Sequence, residues 1–293
     1  MKSIVILATA LASLVTACAG RGAGDLGPVP EAPTPTSSQT GTPAPSGSPT
    51  IAPDGRTFTY LVWFAYGESL FVTERTEPFR PQVGVIAVTA LLGGPSPVER
   101  SAEVTTSIPD GTHVNGLAIE NGVAAVDLSR AFESGGGSAS MMMRLAQLTY
   151  TLTQFPSVTG VDLQLDGEPV QVFGGEGIVL DRPMTRQTFR DLLPPILVES
   201  PFIGQRVSGP ITVSGTANVF EATVSISVLD SVGNEIVRTF TTATCGTGCR
   251  GTYSEAVRFD INQTQPGIVR VYESSAKDGR PVNVIDIPVT LLA

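Results

Sequence analysis

The region between residues 56 and 180 begins with a periodic hydrophobic pattern, in which Thr59, Leu61 and Trp63 separate four strongly apolar residues. Every second position is apolar there, which predicts a strand with one buried face. These residues are Phe58, Tyr60, Val62 and Phe64. Residues 68–73 are expected to form the partner strand. The apolar spacing of residues 81–92 then predicts a helix, which Gly93-Gly94-Pro95 would end.

A hairpin and a second helix are predicted next. Residues 114–119 and 123–128 flank Asn121-Gly122, and both turn residues tolerate positive φ angles. Ser138 or Ser140 can cap the helix, whose apolar residues recur every three or four positions. They are Met141, Leu145, Leu148, Leu152 and Phe155.

The last strands of this region meet at a second hairpin turn, Asp166-Gly167. Val161, Leu163 and Leu165 precede the turn, and residues 170–172 return from it. Strands with two interspersed helices predict an α/β layer over residues 53–180, one sheet with two helices on one face.

Residues 197–293 have an all-β pattern. Short alternating segments separated by Gly and Asn turns predict strands, which favour an immunoglobulin-like β-sandwich. The predicted strands are residues 207–213, 223–229, 235–241, 253–259, 267–272 and 282–291. Residues 181–196 are expected to be a linker helix, with Pro183 near its start. The predicted class is therefore α+β with two domains.

The first eighteen residues have the three parts of a secretory signal. Lys2 supplies positive charge, residues 4–15 are apolar, and small residues precede Cys18. The apolar part is shorter than the roughly 20 residues that a membrane-spanning helix needs. Val15-Thr16-Ala17-Cys18 resembles the lipobox of bacterial lipoproteins. The resemblance implies that diacylglycerol, with acyl chains such as palmitate, is attached to Cys18 and that residues 1–17 are a signal peptide cleaved before it. An ordinary signal with a coincidental cysteine is the alternative.

Residues 18–52 are expected to be a disordered tether. They consist mainly of Gly, Pro, Ala, Ser and Thr, and they have too few large apolar residues to offset the entropy of ordering. A spacer and a passive leader are both compatible with this composition. With the lipid on Cys18, we expect an extracytoplasmic protein anchored to the cell membrane, because two acyl chains hold a protein stably.

Charge and cysteine content narrow the function classes. The net charge of −9 argues against a nucleic-acid partner and against a polybasic membrane patch. Cys245 and Cys249 lie in Cys-Gly-Thr-Gly-Cys, and a zinc site would need further ligands that no second Cys pair or nearby His supplies. Outside the cytoplasm we expect a disulfide that pins a local turn, with two free thiols as the alternative.

Candidate catalytic features are few. The single histidine, His113, follows a turn, and no nucleophile elbow accompanies it, so a turn histidine is favoured over a triad. Gly135-Gly136-Gly137 lacks the Gly-Lys-Ser/Thr of a phosphate-binding loop, and loop flexibility is the favoured interpretation. Met141-Met142-Met143 points in several directions on a helix, which favours core filling over a metal site. We expect no enzyme, no cofactor and no metal.

Four segments of the first domain carry a family resemblance. The segment Ala90 to Pro95 followed by Ile108-Pro109-Asp110-Gly111-Thr112 resembles the GerMN-type sporulation and spore-germination domain. Gly122 to Ser129 and Thr151 to Pro156 extend the resemblance over about residues 56–180. The resemblance implies an extracytoplasmic module similar to the ring-building folds of sporulation and secretion machinery, without enzymatic activity.

The second domain resembles the Gmad-type immunoglobulin-like domain of spore-germination proteins. The resemblance rests on residues 210–217, 220–224 and 272–279. Glu221, Glu273 and Asp278 lie in these segments. They are candidates for a calcium site or for strand-end carboxylates that bind backbone amides, and the second interpretation is favoured.

These features together predict a non-catalytic, lipid-anchored cell-envelope protein, linked by family to sporulation or germination. It would act as a protein–protein interaction or assembly module that contacts itself or another envelope protein. The alternative is a lipoprotein that binds cell-wall glycan, with peptidoglycan as the partner. The only tryptophan, Trp63, lies in the first domain, which weakens a glycan site on the sandwich.

Overall fold

The computed structural model describes residues 55–175 and 177–293, which belong to one compact unit, Ser48–Ala293. The predictions for the signal peptide, Cys18 and the tether lie outside the described residues. No helix among the described residues is long and apolar enough to span a membrane.

The first domain mixes helices and strands. Its elements in chain order are β1 (Thr57–Tyr66), β2 (Ser69–Pro78), α1 (Val83–Leu92), α2 (Pro97–Ser101), β3 (Val104–Thr105), β4 (Val114–Glu120), β5 (Val123–Leu128), α3 (Ser138–Leu152), β6 (Gly160–Leu165), β7 (Glu168–Pro169), β8 (Val172–Phe173) and β9 (Ile178–Val179). The predicted hairpin turn is present between β4 and β5, where Asn121 and Gly122 have φ angles of 50° and 83°.

The strands of the first domain divide into separate sheets. β1 is the middle strand of a three-stranded sheet with the order β2-β1-β3. β4 to β7 form a four-stranded sheet, in which β5 and β6 run parallel on either side of the α3 crossover. β8 and β9 form a small two-stranded sheet. The predicted α+β class is confirmed. The single sheet that the sequence predicted for this domain is wrong, because the strands form two main sheets, β2-β1-β3 and β4-β5-β6-β7.

Both longer helices contact both main sheets. α1 contacts β1 and β4, and α3 contacts β1, β2 and β6. The sequence predicted that both helices cover one face of a single sheet. The structure shows instead that they contact two sheets. The apolar stripe of α3 predicted only part of the helix surface that is buried. The rest of the buried surface includes polar residues. These residues are Arg144, Gln147, Thr149 and Thr151.

The polar residues of α3 serve the backbone of β1. The Nε2 amide of Gln147 donates to the Trp63 carbonyl at 3.1 Å, and the Trp63 N–H donates to Oγ1 of Thr151 at 3.1 Å. The short β3 pairs only with Ala65 and Tyr66, so the preceding part of this β1 edge depends on side chains for its hydrogen bonds.

The second domain is a sandwich of two sheets. Its strands are β10 (Ile196–Ser200), β11 (Arg206–Val207), β12 (Ile211–Ala217), β13 (Thr223–Leu229), β14 (Glu235–Thr242), β15 (Gly251–Val257), β16 (Gln265–Ser274) and β17 (Pro281–Leu291). One sheet has the order β10-β12-β15, and the other has the order β11-β17-β16-β13-β14. Inward-facing residues of both sheets share one core with the first domain, so the two domains pack against each other.

The predicted linker helix is wrong in its type and extent. Met184 is extended and exchanges backbone hydrogen bonds with Val161 of β6, at 2.8 and 2.9 Å. A 3-10 segment follows at Arg186–Leu192, with non-helical angles at Phe189. The pairing with β6 and the burial of Phe189 override the local helical pattern. Strand β10 was not predicted, because its apolar residues are contiguous and do not alternate.

Candidate functional site

A cleft of about 950 Å³ lies where the first domain, the linker and the sandwich meet. The first domain contributes Trp63 and Tyr150, and the linker contributes Arg186. The sandwich contributes Glu199 of β10 and Arg250, which precedes β15. The volume falls in the range of roughly 300–1,000 Å³ that is usual for small-molecule sites.

Arg186 is held in place by the first domain. Its Nε donates to Oγ1 of Thr153 at 3.0 Å, and its Nη2 donates to the Tyr150 carbonyl at 3.3 Å. The guanidinium carbon lies 5.4 Å from the ring centre of Trp63 and 4.9 Å from that of Tyr150. The hydroxyl of Tyr150 donates in return to the Arg186 carbonyl at 3.1 Å. These contacts fix both the backbone and the charged end of the arginine.

Arg250 enters the cleft from the opposite domain. Its Nη1 donates to the carbonyl of Thr216 at 3.3 Å and to the Thr216 hydroxyl at 3.1 Å, and its Nη2 donates to the carbonyl of Pro194. Its partners are therefore neutral oxygens, one of them on the linker. Arg250 consequently ties the linker to β12.

The loop before Arg250 carries the two cysteines. The structure joins Cys245 and Cys249 in a disulfide with a Cα–Cα distance of 5.7 Å. The Gly248 N–H donates to Oδ1 of Asn218 at 2.9 Å, and the Thr247 N–H donates to the Val219 carbonyl at 2.9 Å. Cys249 and Asn218 also line the cleft. The disulfide loop thus forms part of the cleft wall.

Burial changes the acidity of the charged groups around the cleft. It lowers the pKa of Arg186 and of Arg250, with smaller opposing effects of Tyr150 and Glu199. Burial raises the pKa of the Glu199 carboxyl, which the positive charges of Arg186 and Arg250 partly counteract. The Glu199 carboxylate therefore interacts electrostatically with both arginines in a partly desolvated space.

Trp63 lines the cleft and is almost fully buried, with 1% of its surface exposed. Its ring centre is 4.7 Å from that of Tyr150. Its indole N–H has no hydrogen-bond partner among the residues that the structure describes. A buried ring of this kind does not offer an open stacking face to a sugar.

Of the three carboxylates predicted for the second domain, those of Glu273 and Asp278 have separate partners, whereas the described hydrogen bonds of Glu221 involve its backbone. Glu273 accepts from the Phe220 N–H at 3.0 Å and from Nδ2 of Asn283 at 2.7 Å. Asp278 accepts from the Arg280 N–H at 3.3 Å, and the Glu221 N–H donates to Thr247. Within residues 55–175 and 177–293, no cluster of three potential metal ligands is found. The contacts of Glu273 are those of a strand-end carboxylate.

The histidine, the methionines and the glycine-rich loop that the sequence analysis considered have structural roles or lie at the surface. His113 is exposed, and its Nδ1 lies 3.3 Å from the Gly111 carbonyl. Met141 and Met143 are buried in the core, as the core-filling interpretation predicted. The glycine-rich loop is held, because the buried Arg144 donates to the carbonyls of Ser134 and Gly135 at 3.0 and 2.9 Å. The interpretation of this loop as simply flexible is therefore corrected.

Sequence reasoning missed Arg186, Glu199 and Arg250. Each lies in a different segment, and no spacing in the chain connects them. Only the folding of the linker between the two domains brings them to one cleft. A weak signal was present, since an arginine directly follows the cysteine loop.

Comparison with known proteins identifies two matching families. Residues 66–171 match the Germane family, described as sporulation and spore germination. Residues 195–280 match the Gmad2 family, described as the immunoglobulin-like domain of bacterial spore germination. Both resemblances found in the sequence are confirmed. No curated protein matches the chain.

Two similar solved structures come from one sporulation protein. The tandem GerMN domains of the sporulation protein GerM from Bacillus subtilis are 15% identical, with 80% of this chain covered and a TM-score of 0.40. This chain spans only 61% of that structure. The first GerMN domain of the same protein is 23% identical, with coverage of 44% of this chain and 98% of that one and a TM-score of 0.36.

Proposed function

Because this chain carries a Germane domain of sporulation and spore germination followed by a Gmad2 immunoglobulin-like domain, we propose that it is a non-catalytic assembly module of the cell envelope. The description of each family names spore germination, and that of Gmad2 adds an immunoglobulin-like fold. Neither description names a reaction. The charged and aromatic groups that line the cleft are three arginines, the carboxylates of Asp191 and Glu199, and the rings of Trp63 and Tyr150. No described contact pairs a nucleophile with a base among the lining residues. Binding is the function that this composition supports.

The observation that carries the assembly proposal is the outer edge of β14. β14 is the last strand of its sheet, and within the described chain no strand pairs with its outer side. Phe240 on this strand is 67% exposed. Natural edge strands are usually protected by lysine, proline or unpaired charge. Here Glu235 and Arg238 pair with each other at 2.8 Å, and residues 239–242 are uncharged.

An edge of this kind supports strand addition by another chain. Main-chain hydrogen bonds would provide affinity, and Phe240 would provide an apolar contact. A second copy of the protein and a different envelope protein are the two candidate partners. We propose self-association through β14 as the first to test, because the same strand on two copies can pair in a symmetric dimer.

Sedimentation velocity of residues 48–293 over a wide concentration range tests the assembly proposal. We expect a discrete oligomer whose population rises with concentration and falls in Phe240→Lys. Val232→Lys is the matched control, since Val232 is 78% exposed but lies in the turn before β14. A monomer at every concentration would rule out self-association of this unit, and chemical cross-linking in cells would then identify a different partner.

The proposed location is the outer face of the cell membrane, with lipid on Cys18. The support is the lipobox-like Val15-Thr16-Ala17-Cys18 and the short apolar stretch before it. Cys18→Ser should release the protein from the membrane fraction and remove a lipid-sized mass increment from its N-terminal peptide. An unmodified N-terminal peptide in the wild-type protein would contradict the anchor.

Binding to cell-wall glycan remains the alternative proposal, and the burial of Trp63 weakens it further. A pull-down of residues 48–293 with purified peptidoglycan tests it directly. Retention that free glycan competes away would support the alternative, and passage without retention would remove it.

A further inference from the structure

The interdomain cleft holds more positive charge than its surroundings neutralise. Among the residues that the structure describes, neither Arg186 nor Arg250 forms an ion pair with a carboxylate, and their hydrogen bonds go to neutral oxygens. At the rim, Arg190 and Asp191 pair with each other at 3.5 Å and are both exposed. The inner cleft is therefore left with two guanidinium groups and one carboxylate, Glu199.

Both guanidinium groups keep unused hydrogen-bond donors. An arginine carries five N–H donors in a planar fork. The described contacts of Arg186 use Nε and Nη2, so its Nη1 makes no hydrogen bond with the described residues. Those of Arg250 use Nη1 and Nη2, so its Nε makes none either. Carboxylate oxygens fit such donors best, because the hydrogen bonds are charge-assisted.

Glu199 offers the opposite chemistry in the same cleft. Its carboxylate forms neither a hydrogen bond nor an ion pair with the described residues, although it lines the cleft and senses both arginines. A partly buried carboxylate without a hydrogen bond is unfavourable, and an ammonium group would satisfy it. The cleft thus presents donors for an anion and an acceptor for a cation.

We propose that this cleft binds a small zwitterion, namely an amino acid or a whole peptide as short as a dipeptide. Its carboxylate is held by Arg186 and Arg250, and its ammonium group faces Glu199. The stacking of Arg186 against Trp63 and Tyr150 and the bonds of Arg250 to Thr216 and Pro194 hold the two charges before the ligand arrives. Such preorganisation lowers the entropic cost of binding.

The ligand would contact the linker through Arg186 and the sandwich through Arg250 and Glu199, and Arg186 is itself bound to Thr153 and Tyr150 of the first domain. Binding would therefore stabilise their packing, since a ligand that binds only the folded protein shifts unfolding by mass action. This role is independent of the β14 edge, because none of the residues that line the cleft belongs to β14. Phe240→Lys should consequently leave ligand binding unchanged.

Fluorescence of the single tryptophan provides the test. Trp63 lies at the cleft, so its emission reports on this site in residues 48–293. We expect glycylglycine to change the emission saturably in the millimolar range, as suits so small a ligand. N-acetylglycylglycine lacks the ammonium group and glycylglycinamide lacks the carboxylate. Each should bind about tenfold more weakly or worse.

Variants assign the two halves of the site. Arg186→Gln and Arg250→Gln should each weaken glycylglycine binding at least about tenfold. Glu199→Gln should erase the preference for glycylglycine over its N-acetylated form while leaving the carboxylate half intact. Arg280→Gln is the matched control, because Arg280 is an exposed arginine outside the cleft. Circular dichroism and thermal melting confirm that each variant is folded.

Clear results would overturn the proposal. One is the absence of a saturable change with glycylglycine in the wild-type protein. Another is equal binding of glycylglycine and its N-acetylated form, which would remove the role of Glu199. A third is unchanged binding in folded Glu199→Gln together with a folded arginine variant.

Discussion

Gln154 takes the place of a neighbouring strand for Leu61. Its Oε1 accepts from the Leu61 N–H at 2.7 Å, and its Nε2 donates to the Leu61 carbonyl at 2.6 Å. One side-chain amide thus satisfies both backbone groups of a residue 93 positions away. Gln147 and Thr151 together bind the backbone N–H and carbonyl of Trp63, so the C-terminal half of α3 and Gln154, two residues after the helix, complete the β1 edge.

Gln154→Leu should destabilise the first domain. The substitution leaves the N–H and the carbonyl of Leu61 without partners, which costs about 1–3 kcal/mol in the free energy of unfolding. Urea unfolding measures the loss, and hydrogen exchange should show faster exchange of the Leu61 amide. Gln171→Leu at an exposed position is the control and should stay within about 0.5 kcal/mol. Unchanged protection of the Leu61 amide would contradict the assigned role.

Glu99 should make stability depend on pH. The carboxylate is buried and accepts from Nη1 and Nη2 of Arg75 at 2.6 and 2.7 Å, from the Thr73 hydroxyl and from the Ser96 N–H. Burial alone would raise its pKa, but these hydrogen bonds outweigh burial and lower it. A lowered folded pKa stabilises the protein above the unfolded value of about 4.3. The stabilisation disappears as the pH falls through the folded value.

Glu99→Gln should therefore cost about 2 kcal/mol near neutral pH, a figure that allows for the partial exposure of Arg75. Urea unfolding of both proteins at several pH values should show the difference shrinking below about pH 4.3. Asp181→Asn, in an exposed pair with Arg182, should change little at any pH. A difference that does not depend on pH would mean that Glu99 acts through packing and not through its charge.

Gly215→Ala should disrupt the sandwich. A Cβ atom at this position would lie 2.0 Å from the Leu197 carbonyl oxygen and 3.0 Å from the Tyr253 hydroxyl. Backbone atoms of β10 cannot move away cheaply, so we expect a loss above about 3 kcal/mol or failure to fold. Gly116→Ala is the control, since nothing lies within 4 Å of its Cβ position. Equal melting temperatures of the two variants would show that β10 and β12 are not so closely packed.

The disulfide should contribute modestly to the free energy of unfolding, because Cys245 and Cys249 are only four positions apart. Its short loop predicts a loss of about 2 kcal/mol on removal. Reductant should thus lower the urea midpoint of the wild-type protein and leave Cys245→Ala/Cys249→Ala unaffected. An identical response of both proteins to reductant would mean that the thiols are free.

The sequence predicted the elements of the fold better than their arrangement. Alternation located β1, and Asn121-Gly122 located the first hairpin turn, because these signals are local. The separation into two sheets depends on α3 being buried on most sides, and its polar residues Arg144, Gln147 and Thr151 resemble an exposed face in the sequence. The period of three and four residues identifies the apolar stripe only.

The candidate site could not be predicted for a related reason. Arg186 lies in a segment that the pattern assigned to a helix, and its tertiary contacts with Tyr150 and Trp63 decide its position. Arg250 bonds to backbone carbonyls, and any residue type can supply such partners. When an arginine binds backbone carbonyls, the sequence contains no side-chain motif that would predict its position.

The completion of β1 by residues 147–154 has a consequence for synthesis. The β1–β2 hairpin can form as soon as residue 78 has left the ribosome. The backbone groups of Leu61 and Trp63 find their hydrogen-bond partners only when side chains up to 93 positions later have been synthesised. During that interval the nascent hairpin exposes an open edge that another nascent chain could pair with. The arrival of α3 closes that edge, so a chain interrupted before residue 154 would retain an aggregation-prone hairpin.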